Sequence, residues 1–127
     1  MCDPIAPAGG RYVQCMDWLE LEHGDVDEYG SRGVRMSEAA RMRDVDECAV
    51  HLAEIEPGGV LGRHPSRVWQ LFCVMSGSGW VAGPDGARQD IEAGQAVLWS
   101  PGEEHGSGSD DGMTVVITQA TVRLPYG

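Results

Sequence analysis

The residues best suited to chemistry sit in two stretches. The first, Pro57-Gly58-Gly59-Val60-Leu61-Gly62-Arg63-His64-Pro65-Ser66-Arg67-Val68-Trp69-Gln70, carries an imidazole, a hydroxyl and an amide close together at His64, Ser66 and Gln70. The second, Gly94-Gln95-Ala96-Val97-Leu98-Trp99-Ser100-Pro101-Gly102-Glu103-Glu104-His105, ends on another imidazole. Side chains two apart on a strand share one face, about 7 Å apart along the chain, so His64 and Ser66 would lean toward one spot. Imidazole nitrogen is a good donor to divalent transition metals, whereas a serine hydroxyl coordinates them poorly and serves better as a hydrogen-bonding group. Gln70 offers a neutral carbonyl oxygen, one neutralising charge fewer than a carboxylate would bring. Plainer assignments stand beside these: a pair of surface-loop histidines, a hydrogen-bonding wall amide, and a hydroxyl that contacts a ligand or supports a neighbour.

The elements that must carry these groups read as strands. Ala49 to Ile55 is a short apolar-rich run closed by Glu56-Pro57-Gly58-Gly59, a strand running into a turn. Trp69 to Ala82 is rich in aromatic and branched residues and is interrupted by Gly77 and Gly79, where a strand can bend or bulge. Gly83-Pro84-Asp85-Gly86 follows with the turn residues of a hairpin. Ala87 to Ile91, Gln95 to Trp99 and Met113 to Val122 supply further strands. Val34 to Met36 could open another, in conflict with the helix-forming run Ser37 to Met42. Short strands at this spacing make a sandwich or a barrel.

Residues 1–30 read separately, as an N-terminal arm, with 31–127 as the barrel domain. The apolar stretch Tyr12 to Leu21 is open between a strand or short helix laid on the barrel and an arm on a partner subunit, anchored by Trp18.

Composition bounds the partners. The chain has 127 residues, 18 glycines and 7 prolines, enough for one domain of many short strands. Twenty acidic against nine basic residues leave a formal charge of −11, which repels phosphate backbones and anionic membranes and makes nucleic acid and lipid poor partners. No apolar run is long enough to span a bilayer and the start lacks a signal-peptide pattern, so a cytoplasmic protein is expected. Cys2, Cys15, Cys48 and Cys73 form no CxxC pair and are expected as buried or free thiols. A Gly-x-Ser-x-Gly elbow, a P-loop and a Rossmann fingerprint are all missing from the sequence.

Taken together and in order, the two stretches resemble the paired motifs of the cupin superfamily. The first resembles Gly-x5-His-x-His-x3/4-Glu-x6-Gly, with Ser66 where the second His would stand, Gln70 where the Glu would stand, and Gly77 closing it. The second resembles the motif ending Pro-x-Gly-x-x-His, here Pro101 to His105, with Ser109 where the family often has Asn. The resemblance covers residues 47–119 and reaches loosely back to Gly33. It implies an all-β, antiparallel double-stranded β-helix or jelly-roll barrel of the RmlC-like kind, with the site inside it and a homodimer as the common assembly.

The resemblance also implies a divalent transition metal (Zn, Fe, Ni, Cu or Mn) on His64, Gln70 and His105. His51, six residues before Pro57, is a further candidate ligand, although strand parity leaves its face open and an exposed strand histidine is the plain alternative. Trp69, Trp80, Trp99 and Phe72 default to core packing, with Trp99 and Phe72 joining Ser66 as the substrate-contacting candidates. Glu103 and Glu104 are expected as solvated rim charges. Three functions follow: a metal-dependent enzyme of oxygenase, isomerase or cyclase type; a metal-free small-molecule-binding module; and a structural or sensory dimer. No catalytic residue is assigned, because one fold hosts many activities.

Overall fold

The computed structural model describes residues 16–124. Its strands are β1 (Asp17–Glu20), β2 (His23–Val26), β3 (Val34–Ser37), β4 (Cys48–Ile55), β5 (Gly59–Pro65), β6 (Trp69–Ala82), β7 (Arg88–Glu92), β8 (Gln95–Trp99), β9 (Glu104–Ser109) and β10 (Met113–Ala120). All pairings are antiparallel. One wall runs β1-β8-β6-β10-β4, and the other is formed by β5, β9, the second half of β6, and β7. β2 and β3 make a separate hairpin. Among the described residues no helix is long and apolar enough to cross a membrane.

β6 belongs to both walls. Gln70 to Cys73 pair with β8, whereas Ser78 to Ala82 pair with β7. Between these halves Met75 is left without an opposite residue, because Thr114 faces Ser76 and Val115 faces Val74. Gly77 follows at φ +80, and a Cβ there would lie 2.2 Å from the Gly112 carbonyl oxygen, so only glycine allows the strand to turn from one wall to the other. The bend expected from Gly77 is therefore present.

Side-chain alternation divides the apolar residues. Phe72, Val74, Val97, Trp99, Val115 and Met113 fill the space between the walls with Ile55, Val81 and Ile91. On the opposite face of the first wall, Trp69, Leu71, Cys73, Ala96 and Leu98 form a second cluster, covered by Leu19, Leu21, Ala39, Ala40, Met42 and Val45. With both faces covered, the first six residues of β6 are all buried, and all of them but Gln70 are apolar.

The described part of the stretch Tyr12 to Leu21 contains a strand, since β1 pairs with β8 of the same chain through Trp18↔Val97, and Trp18 packs on the inner cluster. Residues 1–15, and with them Cys2 and Cys15, lie outside the described residues. Ser37 to Met42 is not helical: β3 extends through Ser37, and the following Ala39, Ala40 and Met42 lie on the outer cluster. Six residues are too few to support a helix by themselves, and burial on the sheet decides the conformation. Cys48 and Cys73 are free thiols, and burial pushes Cys73 up to about 11.

Candidate functional site

At one end of the barrel the inward positions change from apolar to polar. Two residues along from Phe72 on β6 stands Gln70, and two along from Ile117 on β10 stands Gln119. These two amides face each other in the sheet register, in the row that continues to Trp99 on one side and Ala49 on the other. From the second wall, β9 contributes the buried His105 at this end, with Ser107 buried further along and Ser109 at the far end, donating to Ser78 O and accepting from Gly112 N.

His64 reaches this row through a bulge. Leu61 pairs with Ser107 and His64 with His105, so Gly62 and Arg63 together face Gly106. Strict alternation from Leu61 would have set Arg63 opposite His105. The two imidazole centroids are 4.6 Å apart at an interplanar angle of 59°. Arg63 instead donates to Gly83 O at 3.0 Å, to Pro84 O at 2.6 Å and to the Glu104 carboxylate at 3.0 Å.

Both rings are oriented by main-chain carbonyls. His64 Nδ1 lies 2.7 Å from Gly62 O, and His105 Nδ1 lies 3.1 Å from Glu103 O. A carbonyl only accepts, so each Nδ1 carries a proton, and in the neutral form of each ring Nε2 carries the lone pair. Burial lowers the pKa of His105, and the nearby His64 and Arg63 lower it further against the opposing Glu103 carbonyl bond. His105 is thus a neutral imidazole at neutral pH.

Trp99 stacks on the back of His105, centroids 4.2 Å apart at 19°, and Phe72 meets Trp99 edge-on at 5.5 Å. Both are fully buried, which corrects their expected role as substrate contacts: they form the wall behind the histidine and have no surface to offer a ligand. Gln70 Nε2 lies 3.4 Å from His105 Nε2, and Gln119 Nε2 donates to Gln70 Oε1 at 3.0 Å. Gln119 was not singled out from the sequence; the signal was a polar residue ending the alternate apolar row Met113, Val115 and Ile117.

A cleft of about 260 Å³ opens on this end, lined among others by Glu47, Ala49, His64, Ser66, Gln70 and Gln119. The Ser66 hydroxyl donates to Val68 O. The Ser66 main chain is held by the Pro101-Gly102 turn, with Ser66 N donating to Glu103 O at 3.1 Å and Gly102 N to Ser66 O at 2.6 Å. A larger hollow of about 560 Å³ lies elsewhere, beside Trp80, Asp90, Glu92, Asp110 and Asp111. Without an imidazole among its described lining, it is a less apt place for chemistry.

Two further expectations change. His51 pairs with Ile117, level with Phe72 rather than Gln70, on the end strand of its wall, and it is exposed. It does not line the cleft, and no group of three His, Cys, Asp or Glu placed to hold an ion occurs among the described residues. The three-histidine set is therefore not assembled. Glu103 is not a rim charge but fully buried, its Oε2 accepting from Ser100 N at 2.9 Å and Ser100 Oγ at 3.2 Å. Burial raises it to about 7 against those two bonds, with Asp17 adding to the rise. Glu104 is exposed and pairs with Arg63.

The donors present suit a soft-to-borderline divalent ion: two imidazole nitrogens already oriented through their other ring atoms, and an amide whose oxygen can be turned toward them. They do not suit Mg²⁺ or Ca²⁺, which call for several oxygens.

Comparison with known proteins agrees with this architecture. Residues 51–118, more than half of the chain, match the model of the Cupin domain family. A segment of 54 residues is 37% identical to (R)-mandelonitrile lyase of Granulicella tundricola, covering 42% of this chain and 41% of that enzyme. An RmlC-like cupin from Shewanella frigidimarina superposes with a TM-score of 0.55 at 17% identity, over 82% of this chain and 86% of that one. The polyketide cyclase RemF from Streptomyces resistomycificus gives 0.54 at 24% identity, over 65% and 60%. With the walls, the bulge and the paired histidines in place, this chain belongs to the cupin family.

Proposed function

We propose that the chain is a small-molecule-binding cupin that holds a divalent transition metal (Zn, Fe, Ni, Cu or Mn) on His64 and His105, with Gln70 as a third donor, and that it is a metal-dependent enzyme. The observation that carries this reading is the shared tethering of the two rings: each Nδ1 is held on a carbonyl, so both Nε2 lone pairs are left for an ion or a ligand proton. A bound ion would act as a Lewis acid with open positions for substrate oxygen or water. The chain's own part is to keep His105 neutral and fixed between Trp99 and the Glu103 carbonyl, and to exclude water behind it with Phe72. The cleft of about 260 Å³ has room for a one-ring compound. The partial match to (R)-mandelonitrile lyase favours small hydroxynitriles as the first compounds to try.

A homodimer belongs to the same reading, since β4 ends its wall with Val50 and Leu52 61% and 78% exposed. The net charge of −11 argues against nucleic acid as a partner.

One observation favours a second reading, a metal-free binding module: a third acidic, thiol or imidazole donor is lacking beside the pair among the described residues. Calorimetric titration of the metal-stripped protein with Mn²⁺ and Zn²⁺ separates the two. One site per chain is expected, lost in His105→Ala and weakened at least about tenfold in His64→Ala. If no metal binds while mandelonitrile still raises the melting temperature, the metal-free module is correct.

A further inference from the structure

Gln119 lies one residue beyond the groups that would touch an ion, and the hydrogen bonds around it have a single direction. The Nδ1 proton of His105 is donated to Glu103 O, which makes Nε2 the acceptor and Gln70 Nε2, at 3.4 Å, the donor. Gln70 can present its nitrogen to His105 because its oxygen is turned the other way, where it accepts from Gln119 Nε2 at 3.0 Å. The order Gln119 to Gln70 to His105 to the Glu103 carbonyl is therefore set end to end, and Gln70 is buried within it.

An ion on His105 Nε2 would take the lone pair to which Gln70 now donates. For Gln70 to offer its oxygen instead, its amide must turn through half a revolution, which brings Nε2 to face residue 119 and requires an acceptor there. Glutamine can supply one by the same half-turn, because it carries a donor and an acceptor on one planar group. A hydrocarbon at 119 would hold neither orientation, a carboxylate would hold only the second, and an ammonium only the first.

We propose that Gln119 is a positioning residue that sets which end of the Gln70 amide faces His105, and that the two amides turn together when an ion binds. This rests on the ion site proposed above as far as affinity is concerned, but the orientation itself is a property of the metal-free protein.

The test has two arms. In metal-free protein, nuclear Overhauser contacts between the Gln70 side-chain amide protons and the His105 ring are expected in the wild type and absent in Gln119→Glu, where Gln70 must donate to residue 119. Contacts that persist in Gln119→Glu overturn the proposal. In the second arm Cu²⁺, the tightest of the divalent series, is titrated calorimetrically. Gln119→Met, of similar size and without hydrogen bonds, should weaken binding about tenfold, the usual cost of losing a group that orients a ligand. Gln119→Glu should strengthen binding, and by clearly more with Gln70 present than in a Gln70→Leu background, where only its charge acts. Equal effects in the two backgrounds overturn the proposal. If Cu²⁺ fails to bind the wild type, the ion reading fails, and the nuclear Overhauser arm decides the role of Gln119 alone.

Discussion

His64 stands opposite His105 because Gly62 and Arg63 of β5 share a single partner, Gly106 of β9. One extra residue in the strand moves the imidazole to the inner face and sends the Arg63 guanidinium out to the Gly83 and Pro84 carbonyls. Exchanging the two residues should undo both. The double variant Arg63→His with His64→Arg is expected to bring a guanidinium to the inner position opposite His105 and to lower Zn²⁺ affinity at least about tenfold, with strand content retained by circular dichroism. Undiminished affinity in this exchange variant would show that His64 does not take part in the site.

Ser66 is buried and lines the cleft beside His64. Replacing it with histidine adds a nitrogen donor to a set that has two, at the position where the family pattern carries one. Affinity for Zn²⁺ or Ni²⁺ should rise at least about tenfold, about 1.4 kcal/mol, and His64→Ala should cancel the gain. The lost hydroxyl bond to Val68 O should cost about 1 kcal/mol of stability, visible as a lower urea midpoint. An unchanged metal affinity in a folded Ser66→His protein would mean that residue 66 does not face the ion.

Glu103 ties the stability of this end of the barrel to pH. Its ordinary value is 4.5 and burial raises it to about 7. Below 4.5 the group is protonated whether the chain is folded or not. Between 4.5 and about 7 the unfolded chain ionises first, so stability falls with rising pH until the folded form ionises too. Above that the loss is constant. At about 1.4 kcal/mol per unit the effect is on the order of 3 kcal/mol. Urea midpoints of the wild type should decline across this window relative to Glu103→Gln, which cannot ionise. Parallel curves for the two proteins would show that Glu103 does not titrate in this way.

Much of the fold was legible because alternation and turn chemistry are local. Trp69 to Ala82 coincides with β6, Gln95 to Trp99 with β8, and the hairpin at Pro84-Asp85 closes through Gly86 N to Gly83 O at 3.0 Å. What the sequence concealed depends on contacts between distant segments. Glu103 is fully buried and feels the charge of Asp17, far away along the chain, and nothing in the Pro101 to His105 motif announces either. The bulge at Gly62-Arg63 exists only relative to β9, and the level at which His51 sits only relative to β10. Trp99 is aromatic in either role, lining a cavity or backing a histidine, and only its stacking on His105 separates them. Gln119 acquires its meaning from Gln70, on a strand far away along the chain.

The position of β10 also bears on how the molecule comes into being. It is the last of the described strands, yet it lies between β6 and β4 in the interior of its wall. A nascent chain emerging from a ribosome would present β4 and β6 as two open edges, with no strand to join them, until residues 113–120 arrived. Gln119 is next to last in that strand, so the amide pair at the candidate site waits for the same arrival. The barrel gains its wall and its polar end in one late event, and a ribosome paused before β10 would hold a chain exposed to aggregation and still without this site.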